Sequence, residues 1–247
     1  MSSALSDAEL AARIAAGAGE ILLGVRSGGL LGGRLLGDAG DALAQAWIGT
    51  VLQRHRPRDA VLSEEAVDVG DRMSADRVWI IDPLDGTSEF AAGSSHFAVH
   101  VALTRHGVVT DAAVSLPATG ELFRTDTVDP PPTQPSGRIA TSRWGTSYEV
   151  AVVAQRLHLR TTPIGSAGAK AMAVVRGDAD AYVHSGGQYE WDNAAPVGVA
   201  LAAGLHCSRL DGSEIVYNQP QPYMPDFVIC RPELAAPILD IMGETWW

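Results

Sequence analysis

Lysine is all but missing from this chain: of its 18 cationic side chains only Lys170 is a lysine, and the others are arginine. Positive charge as a whole is scarce, because 29 acidic residues leave a formal net charge of −11. That sign argues against a nucleic acid duplex or an anionic membrane as partner, since both bind through a basic face. It leaves room for a small anionic ligand held through bound cations. Cysteine is as sparse: Cys207 and Cys230 are too few for a disulfide framework and lack zinc-ligand spacing. Long apolar runs are absent too. The longest, "PVGVALAAGL" from Pro196 to Leu205, falls far short of the roughly 18 residues that span a bilayer. No basic segment precedes an apolar run at the N-terminus, where Asp7 and Glu9 come early, so no secretory signal is expected. A chain of 247 residues, 46% hydrophobic, is therefore expected to be a cytoplasmic protein of one compact unit or two closely packed lobes.

What is present divides the chain near residue 130. Ser6 with Glu9 three residues on predicts a capping box, and Leu10, Ile14, Ile21, Leu22 and Val25 continue as a helical stripe. A glycine-rich break, "SGGLLGGRLLGDAG", precedes a second helix predicted from about Asp41 to His55. The period then shortens to that of strands at 60–62, 78–82, "FAVHVALTR", "VVTDAAVSL" and "ELFRT", which reads as a largely antiparallel sheet flanked by two helices. "TDTVDPPPTQPSGR" (Thr125 to Arg138) is the one strong linker. Beyond it strands and helices alternate, with helices predicted at Ser147 to about His158, at "AKAMAVVRG", from Asn193 to Ala203, and from Pro232. Residues 1–130 thus read as an α+β lobe and 131–247 as an α/β lobe.

The chemistry lies in carboxylates on separate elements. "WIIDPLDGTSEF" ends an apolar strand with Asp82 and Asp85, two anions that repel unless something positive sits between them. "LSEE" places Glu64 and Glu65 just after a strand, "EWDNAAP" places Asp192 before a predicted helix, and "GDAGD" places Asp41 at the expected start of the second helix. Taken singly, each could be an exposed acidic turn or a helix cap. Together, oxygen-only donors with no His or Cys in the pattern favour a hard cation, magnesium first, and pairs of such ions serve phosphoryl transfer. Pro83 restricts the turn so that both aspartates aim one way, and it brings the Leu84 carbonyl close enough to be a ligand. If the segment opened by Gly86 and Thr87 is helical, their amides would hold a phosphate, and Thr87 could orient the attacking water.

"WIIDPLDGT" with "WDNAAP" resembles the paired signatures of the lithium-sensitive, magnesium-dependent phosphomonoesterases, the superfamily of inositol monophosphatase, fructose-1,6-bisphosphatase and the bisphosphate nucleotidases. The upstream spacing is family-like: Asp41 lies 23 residues before Glu64, and Glu64 lies 18 before Asp82. The resemblance implies a layered α-β-α-β-α sandwich. It implies metal ligation by Glu64, Asp82, the Leu84 carbonyl, Asp85 and Asp192, with two or three Mg²⁺ ions and inhibition by Li⁺. It also implies that Leu84, Asp85, Gly86, Thr87 and Asp192 contact the substrate, and that Asp41, Glu64 and Thr87 act in catalysis. Asp41 departs from the pattern, since Ala39-Gly40 precedes it where relatives often carry Thr-Ala. The haloacid dehalogenase type, with D-x-D-G-T, is set aside because two residues separate these aspartates.

Ser88-Glu89-Phe90 after "DGT", the "GSAGAK" segment and the proline ending "WDNAAP" are similar to the bisphosphate nucleotidases, and the whole chain is similar to the actinobacterial CysQ type. That resemblance implies removal of the 3′-phosphate of adenosine 3′,5′-bisphosphate (PAP, with PAPS as a further substrate) in sulfate assimilation. Inositol, fructose-1,6-bis- and histidinol phosphates are the alternatives. Gly165, Ser166 and Lys170 would line the substrate, Lys170 gripping a second phosphate, with Arg143 or Arg209 as possible helpers. A homodimer, common among relatives, is expected. The histidines show no mutual ligand spacing and read as surface or core residues. Trp191 reads as packing that fixes Asp192, and Tyr217 and Tyr223 as weak candidates for touching the base.

Overall fold

Ser6 opens the first helix of the computed structural model, which describes residues 5–68 and 71–245. Its hydroxyl accepts from the Glu9 amide at 3.1 Å, half of the expected capping box, while the Glu9 carboxylate turns to Arg13. In chain order the elements begin with α1 (Asp7–Ser27), α2 (Gly33–His55), β1 (Ala60–Ser63), β2 (Arg77–Asp85) and α3 (Thr87–Ala91). There follow β3 (Ala98–Arg105), β4 (Val108–Leu116), β5 (Glu121–Arg124), β6 (Arg138–Ser142), α4 (Tyr148–Arg156), β7 (Arg160–Ile164) and α5 (Ala167–Arg176). The chain ends with β8 (Ala181–His184), β9 (Gln188–Tyr189), α6 (Glu190–Ala202), β10 (His206–Ser208), β11 (Tyr223–Met224), β12 (Phe227–Cys230) and α7 (Pro232–Thr245).

One sheet has the order β1-β2-β3-β4-β5 and the second β10-β12-β8-β6-β7, with the short pair β11-β9 apart. The first is antiparallel except where β1 runs parallel to β2. Among the described residues, three apolar cores build five layers. Leu10, Ile14, Ile48 and Trp79 pack α1 and α2 onto one face of the first sheet. Ile80, Val114, Met172, Val197 and Phe227 bury α5 and α6 between the two sheets. Val153, Val228 and Ile238 cover the outer face of the second sheet with α4 and α7. This is the expected α-β-α-β-α sandwich, and it follows from strands apolar on both faces, which must be covered twice.

Two helix starts differ from expectation. The second helix begins at Gly33, not near Asp41, because Leu36, Gly37, Gly40, Asp41, Ala44 and Ile48 form one buried stripe at helical spacing that runs through the glycines. Asp41 therefore sits mid-helix rather than at a cap. α6 begins at Glu190, so Asp192 lies in its first turn, where its Oδ2 accepts from the Tyr189 amide at 2.7 Å. Pro196 falls inside α6, which leaves the Asp192 carbonyl without its helical donor. The linker is a strap: Asp180 accepts from the amides of Ser136, Gly137 and Arg138, and Arg231 bonds both Asp180 and the Pro132 carbonyl. Both cysteines are free.

Candidate active site

In a regular strand, residues three apart face opposite ways. Asp82 and Asp85 do not, because Asp82 pairs with His100 and Asp85 with Ala98, so three steps on β2 match two on β3. This bulge at Pro83-Leu84 turns both carboxylates to one side, and proline fits it since no ladder donor is needed there. Gly86 follows at φ 85°, a left-handed conformation that starts α3. The segment after Gly86, Thr87–Ala91, is helical, as a phosphate held at its amides requires.

Across the gap, Asp192 comes from the first turn of α6. Asp82, Asp85 and Asp192 each offer a carboxylate oxygen, all within 4.8 Å of one another. Burial, then Asp85, Glu64 and Asp192, pushes the Asp82 carboxyl well above the usual range. Burial and Asp85 lift Asp192 to about 6. Glu64 follows β1, and although exposed as a residue its carboxyl reaches Asp82; burial of that group, then Asp192, Glu65 and Asp85, raises it to about 7. Carboxyls that hold their protons so strongly are short of positive charge, and an oxygen-only donor set fits a hard divalent ion. The site is built for a divalent metal.

Asp85 is held differently. Burial works against its charge, but His100, the Ser166 hydroxyl and the Gly168 amide more than offset that and bring it down to about 2. The amides of Ala167 and Gly168, at 3.0 and 2.7 Å, and the Ser166 hydroxyl make Asp85 the anion at the N-terminus of α5. "GSAGAK" thus grips a carboxylate of the first sheet, while Gly165 packs on Glu89.

His100 is core, as read, but it stands inside the acidic group: Nε2 lies 3.4 Å from Asp85, and Nδ1 is 3.1 Å from the Trp191 carbonyl. A Cβ on Gly168 would fall 2.2 Å from that Nε2, so only glycine lets α5 approach. Sequence reasoning missed this histidine because no linear spacing marks it. The β2–β3 register, which sets His100 opposite Asp82, is the signal that finds it.

Asp41 on α2 is buried beside Thr87. Burial, Glu65 and Glu64 raise it to about 7, Thr87 works against that shift, and among the described residues its Oδ1 has no hydrogen-bond partner. The Thr87 hydroxyl donates to the Leu84 carbonyl at 3.2 Å, while the Leu84 side chain is core. Lys170 is buried, its Nζ 5.1 Å from the Tyr182 ring centroid, on the wall of a cavity of about 200 Å³ that also has Ser142, Thr146 and Ser147 in its lining. Burial lowers the Lys170 pKa, and Asp85 and Glu89 work against that shift. Of the two helper arginines, Arg209 is engaged by Asp226, whereas Arg143 lies 3.8 Å from Glu89. Tyr217 is buried with its hydroxyl on Asn193, which removes it as a contact for a base.

The family model described as the inositol monophosphatase family matches residues 8–130 and 133–239. The chain is 52% identical to the 3′-phosphoadenosine 5′-phosphate phosphatase of Mycobacterium leprae, covering 98% of this chain and 95% of that protein. It is 30% identical to the 3′(2′),5′-bisphosphate nucleotidase CysQ of Escherichia coli K12, covering 75% and 81%. Among solved structures, CysQ from Bacteroides thetaiotaomicron superposes with a TM-score of 0.79 at 26% identity, covering 91% of this chain and 97% of the other. The chain belongs to the inositol monophosphatase family.

Proposed function

We propose, from that membership, that the protein hydrolyses the 3′-phosphate ester of adenosine 3′,5′-bisphosphate to AMP and phosphate, with PAPS as a second substrate. The observation that carries this reading is the convergence of Asp82, Asp85 and Asp192 beside Thr87 and the start of α3. The substrate is the one named for the Mycobacterium leprae relative.

In this reading Glu64, Asp82, Asp85, Asp192 and the Leu84 carbonyl hold two or three Mg²⁺ ions. When bound, these supply positive charge against the phosphoryl and leaving oxygens and make water easier to deprotonate. The protein's own work begins with Thr87, which has one proton to give. That proton goes to the Leu84 carbonyl, and the unpartnered Asp41 Oδ1 is the alternative acceptor. With Thr87 turned to Asp41, the Leu84 carbonyl is released and a threonine lone pair can accept from the attacking water. Glu64, whose carboxyl reaches Asp82 in the acidic group, would take the water's other proton. The water oxygen bonds phosphorus and the bond to O3′ breaks; O3′ takes a proton from solvent and leaves as the AMP hydroxyl, while Glu64 returns the attacking water's proton to solvent. The Gly86 and Thr87 amides hold the phosphate. Lys170 faces the 5′-phosphate in its cavity, and Gly165 and Ser166 line the substrate with it.

Lithium as a competitor of magnesium, a homodimer, a cytoplasmic setting and a role in sulfate assimilation complete the reading from kinship. The division into lobes 1–130 and 131–247 belongs to the same reading and rests on the proline-rich linker. The test is phosphate release from adenosine 3′,5′-bisphosphate, inositol 1-phosphate and fructose 1,6-bisphosphate in Mg²⁺, and separately in Mg²⁺ with low-millimolar Li⁺. The nucleotide is expected to lead and lithium to inhibit; faster turnover of either sugar ester overturns the substrate.

A further inference from the structure

Beside Asp192 stands a group of aromatic rings that the reaction above does not use. Tyr189 stacks on Trp191 with centroids 4.7 Å apart and planes 9° from parallel, and Tyr223 meets Tyr189 edge-on at 6.0 Å. Trp191 is half-buried against the core between the sheets, yet Tyr189 is 47% and Tyr223 53% exposed. With Trp191 stacked on one face and Tyr223 in edge contact, nearly half of Tyr189 still remains exposed.

Exposed rings at a turn are ordinary. Rings whose backbone is so closely fixed are less so. The Tyr189 amide donates to Asp192, its carbonyl accepts from the Asn193 side chain at 3.0 Å, and β9 pairs it with Tyr223 in β11. The Trp191 carbonyl contacts His100. An exposed aromatic ring is thus held by its backbone one amide away from a carboxylate of the acidic cluster. Ser185 and Gly186, which lead into β9, line the Lys170 cavity, so ledge and cavity share one loop.

The geometry points to Tyr189, backed by Trp191 and edged by Tyr223, as the platform on which the substrate's base stacks. This rests on the nucleotide reading given above. A nucleoside 3′,5′-bisphosphate has two arms diverging from its ribose, a base and a 5′-phosphate. The ledge takes the flat, apolar arm and the Lys170 cavity the charged one. A single base–aromatic stack contributes enough to change affinity about tenfold. Inositol phosphates lack a flat arm and gain nothing from such a ledge.

The decisive measurement is calorimetric affinity of the full chain in Mg²⁺ for AMP, ribose 5-phosphate and inorganic phosphate. The wild type should bind AMP at least about tenfold more tightly than ribose 5-phosphate, which is AMP without its base. Tyr189→Leu, which still covers Trp191, should erase that difference while inorganic phosphate affinity stays within about twofold, and Tyr189→Phe should restore it. Equal wild-type affinities for AMP and ribose 5-phosphate would overturn the platform without any variant being needed. So would a Tyr189→Leu protein that loses AMP and inorganic phosphate in parallel, since that marks a displaced Asp192. A wild type that hydrolyses inositol 1-phosphate faster than the bisphosphate overturns the reaction, and the AMP against ribose 5-phosphate contrast still decides the ledge.

Discussion

Asp82 in the first sheet and Asp180 beside the second are both 1% exposed, and they are held in opposite ways. Asp180 accepts from three backbone amides and from Arg231, so although burial opposes its charge the carboxyl lies below the usual range. Asp82 receives the Leu84 amide at 3.0 Å but faces three other carboxyls, and it lies well above that range. One buried aspartate is completed by its own chain and closes a linker onto a sheet. The other is left incomplete, and what completes it must come from outside. Asp85 stands between the two cases, a member of the acidic cluster that α5 has already satisfied. The difference separates a buried charge that serves the fold from one that serves a ligand.

That contrast can be broken most severely at its functional end. Asp82→Asn should lower kcat by more than about a hundredfold, beyond what loss of a supporting contact costs a metal site, with Mg²⁺ affinity by calorimetry falling and urea stability unchanged or improved. Asp180→Ala should do the reverse, leaving Mg²⁺ affinity near wild type while removing about 3–5 kcal/mol from the urea unfolding free energy, because Arg231 loses its buried partner. Gly168→Ala tests the intermediate case: crowding His100 should cost about 1–3 kcal/mol and weaken Mg²⁺ together. The pH dependence tests the same contrast with no substitution. Asp41, Glu64 and Asp192, raised to about 7, 7 and 6, bind protons in the folded state that the unfolded chain has released. Their contribution to metal-free stability is therefore complete below about pH 4 and lost as pH rises toward 7. Thermal melts of the metal-free protein should show that decline, and saturating Mg²⁺ should oppose it; a flat metal-free profile would mean that Asp82 and its neighbours are not short of positive charge.

Most of the first sheet was legible, since its strands are apolar runs between turn residues and Asp82 and Asp85 end one of them. The Gly33 start of α2 was not, because glycines read locally as a break while the buried stripe through Leu36 and Ala44 is a tertiary fact. The acidic residues at 64, 82, 85 and 192 could be named from their motifs, but the asymmetry among them could not. It depends on α5 meeting Asp85 and on His100 lying opposite Asp82, contacts separated by 83 positions for Gly168 and set by strand register for His100. Asp192 was expected just ahead of its helix; the hydrogen bond to the Tyr189 amide is what puts it inside the first turn.

Pro196 gives that first turn of α6 an unusual allegiance. Lacking the proline's donor, the turn is fastened to its surroundings: Glu190 takes the amides of Asn218 and Gln219, and its own amide goes to the Pro222 carbonyl. Arg72, in the short helical turn Asp71–Ser74, reaches the same segment through Asn218 and Pro220. Hydrogen exchange at residues 190–192 should consequently keep time with the 217–222 segment rather than with the rest of the helix, making Asp192 and the turn that carries Arg72 passengers of one local opening.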